Sequence, residues 1–178
     1  MKTIIISSSL SKESKSFILC KEIYNKLKTE KIQVTIIDAR NINLAPYHTK
    51  TSESMRRLRS NIAEANNIII GMGVHCYSIS DSLKIILDNC FQESIGKFFG
   101  ILCAAGSEKS YLSTSHLTQI CMNEWKMIQL PRIIYATQKD FKNDQIESKD
   151  LLKQAVLIGS IFTISRILIS SLIIVSKF

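Results

Sequence analysis

Ser7 to Ser16, SSSLSKESKS, holds six serines, two lysines and no glycine within ten residues. An apolar run precedes it, and SKSFILCKEIYNKLKTE, with apolar residues close to helical spacing, follows. At a helix start the free backbone N–H groups and the dipole favour an anion. Serine hydroxyls add donors and a lysine adds charge. Ser9, Ser14, Lys15 and Ser16 are therefore candidates for holding a phosphate, and a dianionic monophosphate needs no metal there. The same composition also suits a polar loop over a helix capped by Ser14 or Ser16. No G-x-x-x-x-G-K-[ST] or G-x-G-x-x-G pattern occurs, which disfavours a triphosphate cradle or a dinucleotide fingerprint.

A second polar stretch, GMGVHCYSIS, spans Gly71 to Ser80. Flat ligands lie well against aromatic or imidazole faces, and the amides of a tight turn can bond a ring edge. Val74, His75, Cys76 and Tyr77 are the ring-edge candidates. No partner carboxylate is identifiable for His75, so a stacking or surface role is expected and no catalytic side chain is assigned. Cys76 has no activating neighbour in sequence. A third stretch, AAGSEKSYLSTS, contributes Gly106, Ser107 and Tyr111. Small residues allow close approach of the backbone, and Gly106 permits unusual backbone angles.

Elements that position these loops alternate. KTIII, IQVTIIDA, NIIIGMG, KFFGILCAAG and PRIIYATQ read as strands, each almost continuously apolar, as in a parallel sheet covered on both faces. Helical stretches separate them, including SESMRRLRSNIAEAN, capped by Ser52 or Ser54, and SDSLKIILDNCF, with Leu83, Ile86, Leu87 and Cys90 on one face. Right-handed crossovers then predict an α/β, three-layer, doubly wound, five-stranded parallel sheet. Ligand loops after strands one, three and four suit the flavodoxin-like order 2-1-3-4-5, with the ligand at the switch point between strands one and three.

The 178 residues are expected to form a single domain, 46% hydrophobic and 21% charged. The net charge is +8, but the basic residues are scattered. Their densest group, Arg56, Arg57 and Arg59, has no interleaved aromatics and reads as a solvated helix face, so no nucleic-acid partner is expected. Five unpaired cysteines argue against a disulfide framework or a zinc site, and Cys20, Cys90 and Cys103 read as buried small hydrophobes. The N-terminal apolar run is too short for a signal peptide, so a cytoplasmic location is expected.

Over residues 2–137 the chain resembles the NADPH-dependent FMN reductase family. Ser8, Ser9, Leu10, Ser11, Lys12, Glu13 and Ser14 match the family's Gly-Ser-x-Arg-x-x-Ser-like phosphate loop. GVHCYSISDSLKIILD matches its Pro-x-Tyr-Asn-like turn and following helix, with Leu83, Lys84 and Asp88 in place. Gly96, Lys97 and Gly106 match a further Gly-Lys and Gly block. Serine replaces glycine at Ser8 and arginine at Ser11, with Lys12 as a compensating charge. Gly73, His75 and Cys76 stand where the family has proline, tyrosine and asparagine. The resemblance implies an FMN cofactor, NADPH or NADH as co-substrate, and hydride transfer through flavin N5. The acceptor would be a small molecule: a quinone, azo compound, metal ion or free flavin. An electron carrier or a flavin-free interaction protein on the same scaffold are the alternatives. The basic charge runs against the acidic docking surface of carriers.

From residue 150 onward the sequence predicts one long apolar C-terminal helix, with Arg166 the only charge between 155 and 175. It would be about 40 Å long, at about 1.5 Å per residue, against about 20 Å for a strand. Its overhang favours a homo-oligomer contact over membrane association, because Arg166 would fall mid-span at a cost of at least ~2.5 kcal/mol.

Overall fold

The computed structural model describes residues 2–154. Five positions across one parallel sheet carry the architecture. They begin with β1 (Lys2–Ser7), β2 (Gln33–Asp38), β3 (Asn67–Gly73) and β4 (Phe98–Ala105). β1 lies between β2 and β3, and β4 lies beyond β3. The fifth position, expected as one run over PRIIYATQ, is shared by β5 (Ile128–Gln129) and β6 (Ile134–Thr137), both parallel to β4. β5 pairs with Phe98 and Phe99, and β6 with Leu102 to Ala105. Pro131 lies between them and cannot donate to the ladder, which accounts for the break. The order is the flavodoxin-like 2-1-3-4-5.

Among the described residues four complete helices flank the sheet: α1 (Lys15–Thr29), α2 (Glu53–Glu64), α3 (Asp81–Cys90) and α4 (Thr114–Trp125). The first three start on serines whose hydroxyls accept an N–H of the first turn: Ser14 from Phe17, Ser52 from Met55 and Ser80 from Leu83. Successive strand side chains point to opposite faces, so one strand feeds both cores. Ile4 and Ile6 pack with α2, α3 and α4, while Ile5 packs with Leu19, Cys20, Ile23 and Leu27 of α1. Leu83, Ile86, Leu87 and Cys90 are completely buried, as their helical spacing predicts. Arg56 and Arg57 pair with Glu53, and Arg59 with Glu93, on the solvated surface.

A two-stranded antiparallel hairpin, β7 (Phe141–Lys142) and β8 (Gln145–Ile146), follows the sheet. Helical backbone resumes at Lys149, and Leu151 joins the core on the α1 face. The apolar stretch 155–175 lies outside the described residues. Among those described, no helix is long and apolar enough to cross a membrane.

Candidate functional site

At the carboxyl edge of the sheet a cleft of about 350 Å³ opens between the segments after β1, β3, β4 and β6. Ser9 to Ser16 form its first wall, Gly73 to His75 its second and Ala104 to Gly106 its third. Gln138 and Phe141 close the fourth side. The volume is within the roughly 300–1,000 Å³ of small-molecule sites. A larger depression of about 670 Å³ lies between α3 and α4, lined by Lys84, Asp88, Gln119 and Asn123 among others. None of the three candidate loops reaches it, and it lacks the dipole of a helix start. The cleft at the sheet edge is therefore the candidate site.

The first loop is fastened from both sides. Ser8 is fully buried, and both its N–H (3.0 Å) and its hydroxyl (2.8 Å) donate to the carbonyl of Gly71. Ser82 Oγ, at the start of α3, donates to the Ser8 carbonyl at 2.7 Å. Serine at position 8, where the family has glycine, is thus a tie between β1 and β3. Gly71 itself is required by packing: a Cβ there would lie 2.2 Å from Cys20 Sγ of α1. Further along, Arg40 stacks on Phe17 (4.4 Å to the ring centroid), pairs with Asp38 and donates to the Lys12 carbonyl at 3.2 Å.

The four phosphate candidates all line the cleft, in different states. Ser9 is half-buried and accepts the Ser11 N–H at 3.3 Å. Ser14 is the helix cap, accepting Phe17 N–H at 3.1 Å, and its hydroxyl lies 3.0 Å from that of Ser16. Lys15 Nζ reaches Asp144 on the hairpin at 2.7 Å. The first-turn N–H groups of Lys15 and Ser16 have no intrahelical acceptor, by the geometry of any helix start.

The second loop is a two-residue hairpin turn. His75 and Ser78 exchange backbone hydrogen bonds of 3.0 and 2.8 Å, and Cys76 (φ 47°) and Tyr77 (φ 56°) occupy its left-handed corners. This is the geometry that Asn-Gly favours, so two side-chain-bearing residues here store strain. Val74 and His75 line the cleft, whereas Cys76 and Tyr77 project from the tip, with Tyr77 63% exposed. His116 Nδ1 of α4 lies 3.0 Å from Ser78 Oγ, supporting the turn from behind. Cys76 is exposed, whereas Cys20, Cys90, Cys103 and Cys121 are buried. Burial pushes the thiols of Cys20, Cys103 and Cys121 up to about 12 and that of Cys90 to about 11.

In the third loop Gly106 lines the cleft but does not adopt a left-handed φ, and a Cβ there would meet nothing within 4 Å. Ser107 and Tyr111 sit beside the cleft: the Ser107 carbonyl accepts Tyr135 OH at 2.7 Å, and Tyr111 packs edge-on to Tyr135 at 5.2 Å. Burial holds the Tyr135 phenol above its ordinary pKa. Tyr135, Gln138 and Phe141 were not among the sequence candidates. The period-two pattern of IIYAT could have flagged Tyr135, but nothing local flags the other two.

A parallel sheet in this order, with a serine-rich helix start and three loops at one edge, defines a flavodoxin-like α/β protein. The chain belongs to the NADPH-dependent FMN reductase family, whose sequence model matches residues 1–142. That membership makes it an NAD(P)H-dependent flavin oxidoreductase. No curated protein matches it by sequence. Solved structures are similar in fold. The apo form of an NADH:FMN oxidoreductase, EMOB, shares 17% identity over 92% of this chain and 89% of its own, with a TM-score of 0.77. An oxidoreductase from Corynebacterium diphtheriae shares 16% over 89% and 93% (TM-score 0.74). FerB, a flavoenzyme NAD(P)H:(acceptor) oxidoreductase from Paracoccus denitrificans, shares 13% over 90% and 94% (TM-score 0.72). At these identities the likeness is one of fold.

Proposed function

We propose that the chain holds FMN in the sheet-edge cleft and passes reducing equivalents from NADH or NADPH to a small-molecule acceptor, such as a quinone, azo compound, metal ion or free flavin. The observation that carries this reading is the convergence of the serine-lined start of α1 with the turn after β3 in one cleft. The donor set suits a phosphate: the N–H groups of Lys15 and Ser16, the hydroxyls of Ser9 and Ser16, and the Lys15 ammonium. Ser14 contributes by capping the helix, which keeps those donors aimed outward. Val74, Ala104, Ala105 and Phe141 give the remaining wall the apolar character a flat ring needs. The backbone of the 74–77 turn would meet the ring edge, with Cys76 and Tyr77 contributing through backbone conformation and the rim. Gly106 leaves space on the opposite side, while Ser107 and Tyr111, braced by Tyr135, border it. FMN supplies the redox chemistry when bound, accepting hydride at N5, so no side-chain acid is demanded of the protein. The apolar stretch 155–175 supports self-association, which light scattering of the full chain tests.

Flavin titration of the full-length protein tests the reading. Wild type should bind FMN and oxidise NADH or NADPH with FMN present. S9A/S16A should weaken FMN at least about tenfold, since each hydrogen bond to a charged group contributes about 1.5–3 kcal/mol. Riboflavin, lacking the phosphate, should be nearly indifferent. Equal losses for both ligands would place the phosphate elsewhere. A protein that binds no flavin and oxidises no nicotinamide would leave a scaffold acting through other partners.

A further inference from the structure

The hairpin of β7 and β8 straddles the end of the family match at residue 142 and supplies a feature that the family reading does not assign. It is firmly seated: Phe141 and Ile146 pack on the α1-face core, and Glu147 N–H donates to the Asp140 carbonyl at 2.9 Å. Its turn residues Asn143 (φ 47°) and Asp144 (φ 57°) are types that tolerate the left-handed region. That turn delivers the Asp144 carboxylate to Lys15 Nζ at 2.7 Å, while the Phe141 ring lies 5.7 Å from the same ammonium. Lys15 is the lysine of the cleft wall, in the first turn of α1. Among the described residues Asp144 is its only carboxylate partner.

We propose that Asp144 is a built-in counter-anion that competes with a ligand phosphate for Lys15 and so sets how strongly the cleft prefers phosphorylated over unphosphorylated ligands. This rests on the flavin reading of the cleft. An entering phosphate would take over the Lys15 ammonium, and Asp144 would turn to solvent, where it is already 69% exposed. A carboxylate this near a dianion also repels it directly. Both effects disfavour FMN and leave riboflavin untouched. The exposure of the pair limits the size, because solvent and salt screen it.

Asp144→Asn is the informative change, since asparagine keeps the left-handed turn while removing the charge. In low salt, D144N should tighten FMN about two- to fivefold and leave riboflavin unchanged. The gain should shrink in high salt, and in a K15M background it should fall to the smaller part due to direct repulsion. Unchanged or weaker FMN binding, an equal gain for riboflavin, or a gain undiminished in K15M would each overturn the proposal. If wild type binds FMN and D144N makes no difference, this inference falls while the flavin reading stands. If wild type binds no flavin, the flavin reading falls, and inorganic phosphate serves as the probe. Phosphate should then raise the melting temperature of D144N more than that of wild type, and an equal rise would sink the counter-anion role.

Discussion

Replacing Gly71 by alanine tests whether the close contact between α1 and β3 holds the first loop in place. The added Cβ would lie 2.2 Å from Cys20 Sγ and 3.5 Å from the carbonyls of Ile6 and Ser16. Comfortable non-bonded separations are roughly 3.5–4.0 Å, so the sulfur must give way by more than an ångström. Cys20 is fully buried, so moving its sulfur displaces other core atoms. Overpacking of this kind costs typically 1–3 kcal/mol and sometimes more, and G71A should lie near about 3 kcal/mol. Cys20→Ala alone should cost about 1 kcal/mol, for one deleted buried atom. In the double variant the new methyl takes the place of the sulfur, and stability should return to within about 1 kcal/mol of wild type. Urea unfolding of all four proteins then gives a coupling energy of at least about 2 kcal/mol. Because Ser8 bonds the Gly71 carbonyl through both N–H and Oγ, FMN affinity should fall in G71A and recover in the double variant. A G71A protein within about 0.5 kcal/mol of wild type, or no rescue by C20A, would refute the packing argument.

Thiol reagents should label one cysteine per native chain, Cys76, and all five after denaturation. The four buried thiols titrate near 11–12, above their ordinary value of 9.0, so the folded state holds more protons over that interval. Their contribution is complete below about pH 9 and is lost as pH rises toward 12, at about 1.4 kcal/mol per pH unit per thiol; unfolding at stepped alkaline pH reads this, and a flat profile would contradict it. His75→Phe should retain a substantial part of the nicotinamide oxidation rate with little change in its pH dependence; a loss of about a hundredfold, the scale of general acid–base catalysis, would make His75 a proton donor. Tyr77→Gly relieves a left-handed corner and should stabilise the fold by about 1 kcal/mol in chemical denaturation; destabilisation would show that the exposed ring makes contacts that outweigh the strain.

The sheet order was readable because each strand is a continuous apolar run and each intervening helix carries its own period and serine cap. Ser14, Ser52 and Ser80 occupy N-caps as residue type and position suggest. The fifth strand expected over PRIIYATQ is met by β6, whereas β5, ahead of Pro131, is too short at two residues to carry a strand pattern. Its place is set by pairing with Phe98 and Phe99 of β4, a long-range matter. Composition of the first loop pointed to Ser9, Ser14, Lys15 and Ser16, but not to the division of labour among them. Ser14 serves the helix and Lys15 is already paired with a residue 129 positions away. Gln138 and Phe141 enter the cleft only because β6 ends beside β4, which no local pattern announces.

The departures from the family's residues acquire physical meaning together. Ser8 adds a hydroxyl bond to the Gly71 carbonyl that a glycine cannot make. That bond and the Ser82 contact tie β1, β3 and α3 at one point, directly beneath the first loop. The second loop has no proline to stiffen it, and holds its shape through a two-residue turn, the His75–Ser78 bonds and the His116 contact. Proline restricts the backbone locally, whereas this turn is restricted by its own His75–Ser78 bonds, by one hydrogen bond to α4 and by two strained corners. Such a turn has a definite shape only while those bonds persist. Ring binding in this chain should therefore respond to changes in α4, outside the cleft, more than in relatives whose turn is fixed by covalent geometry.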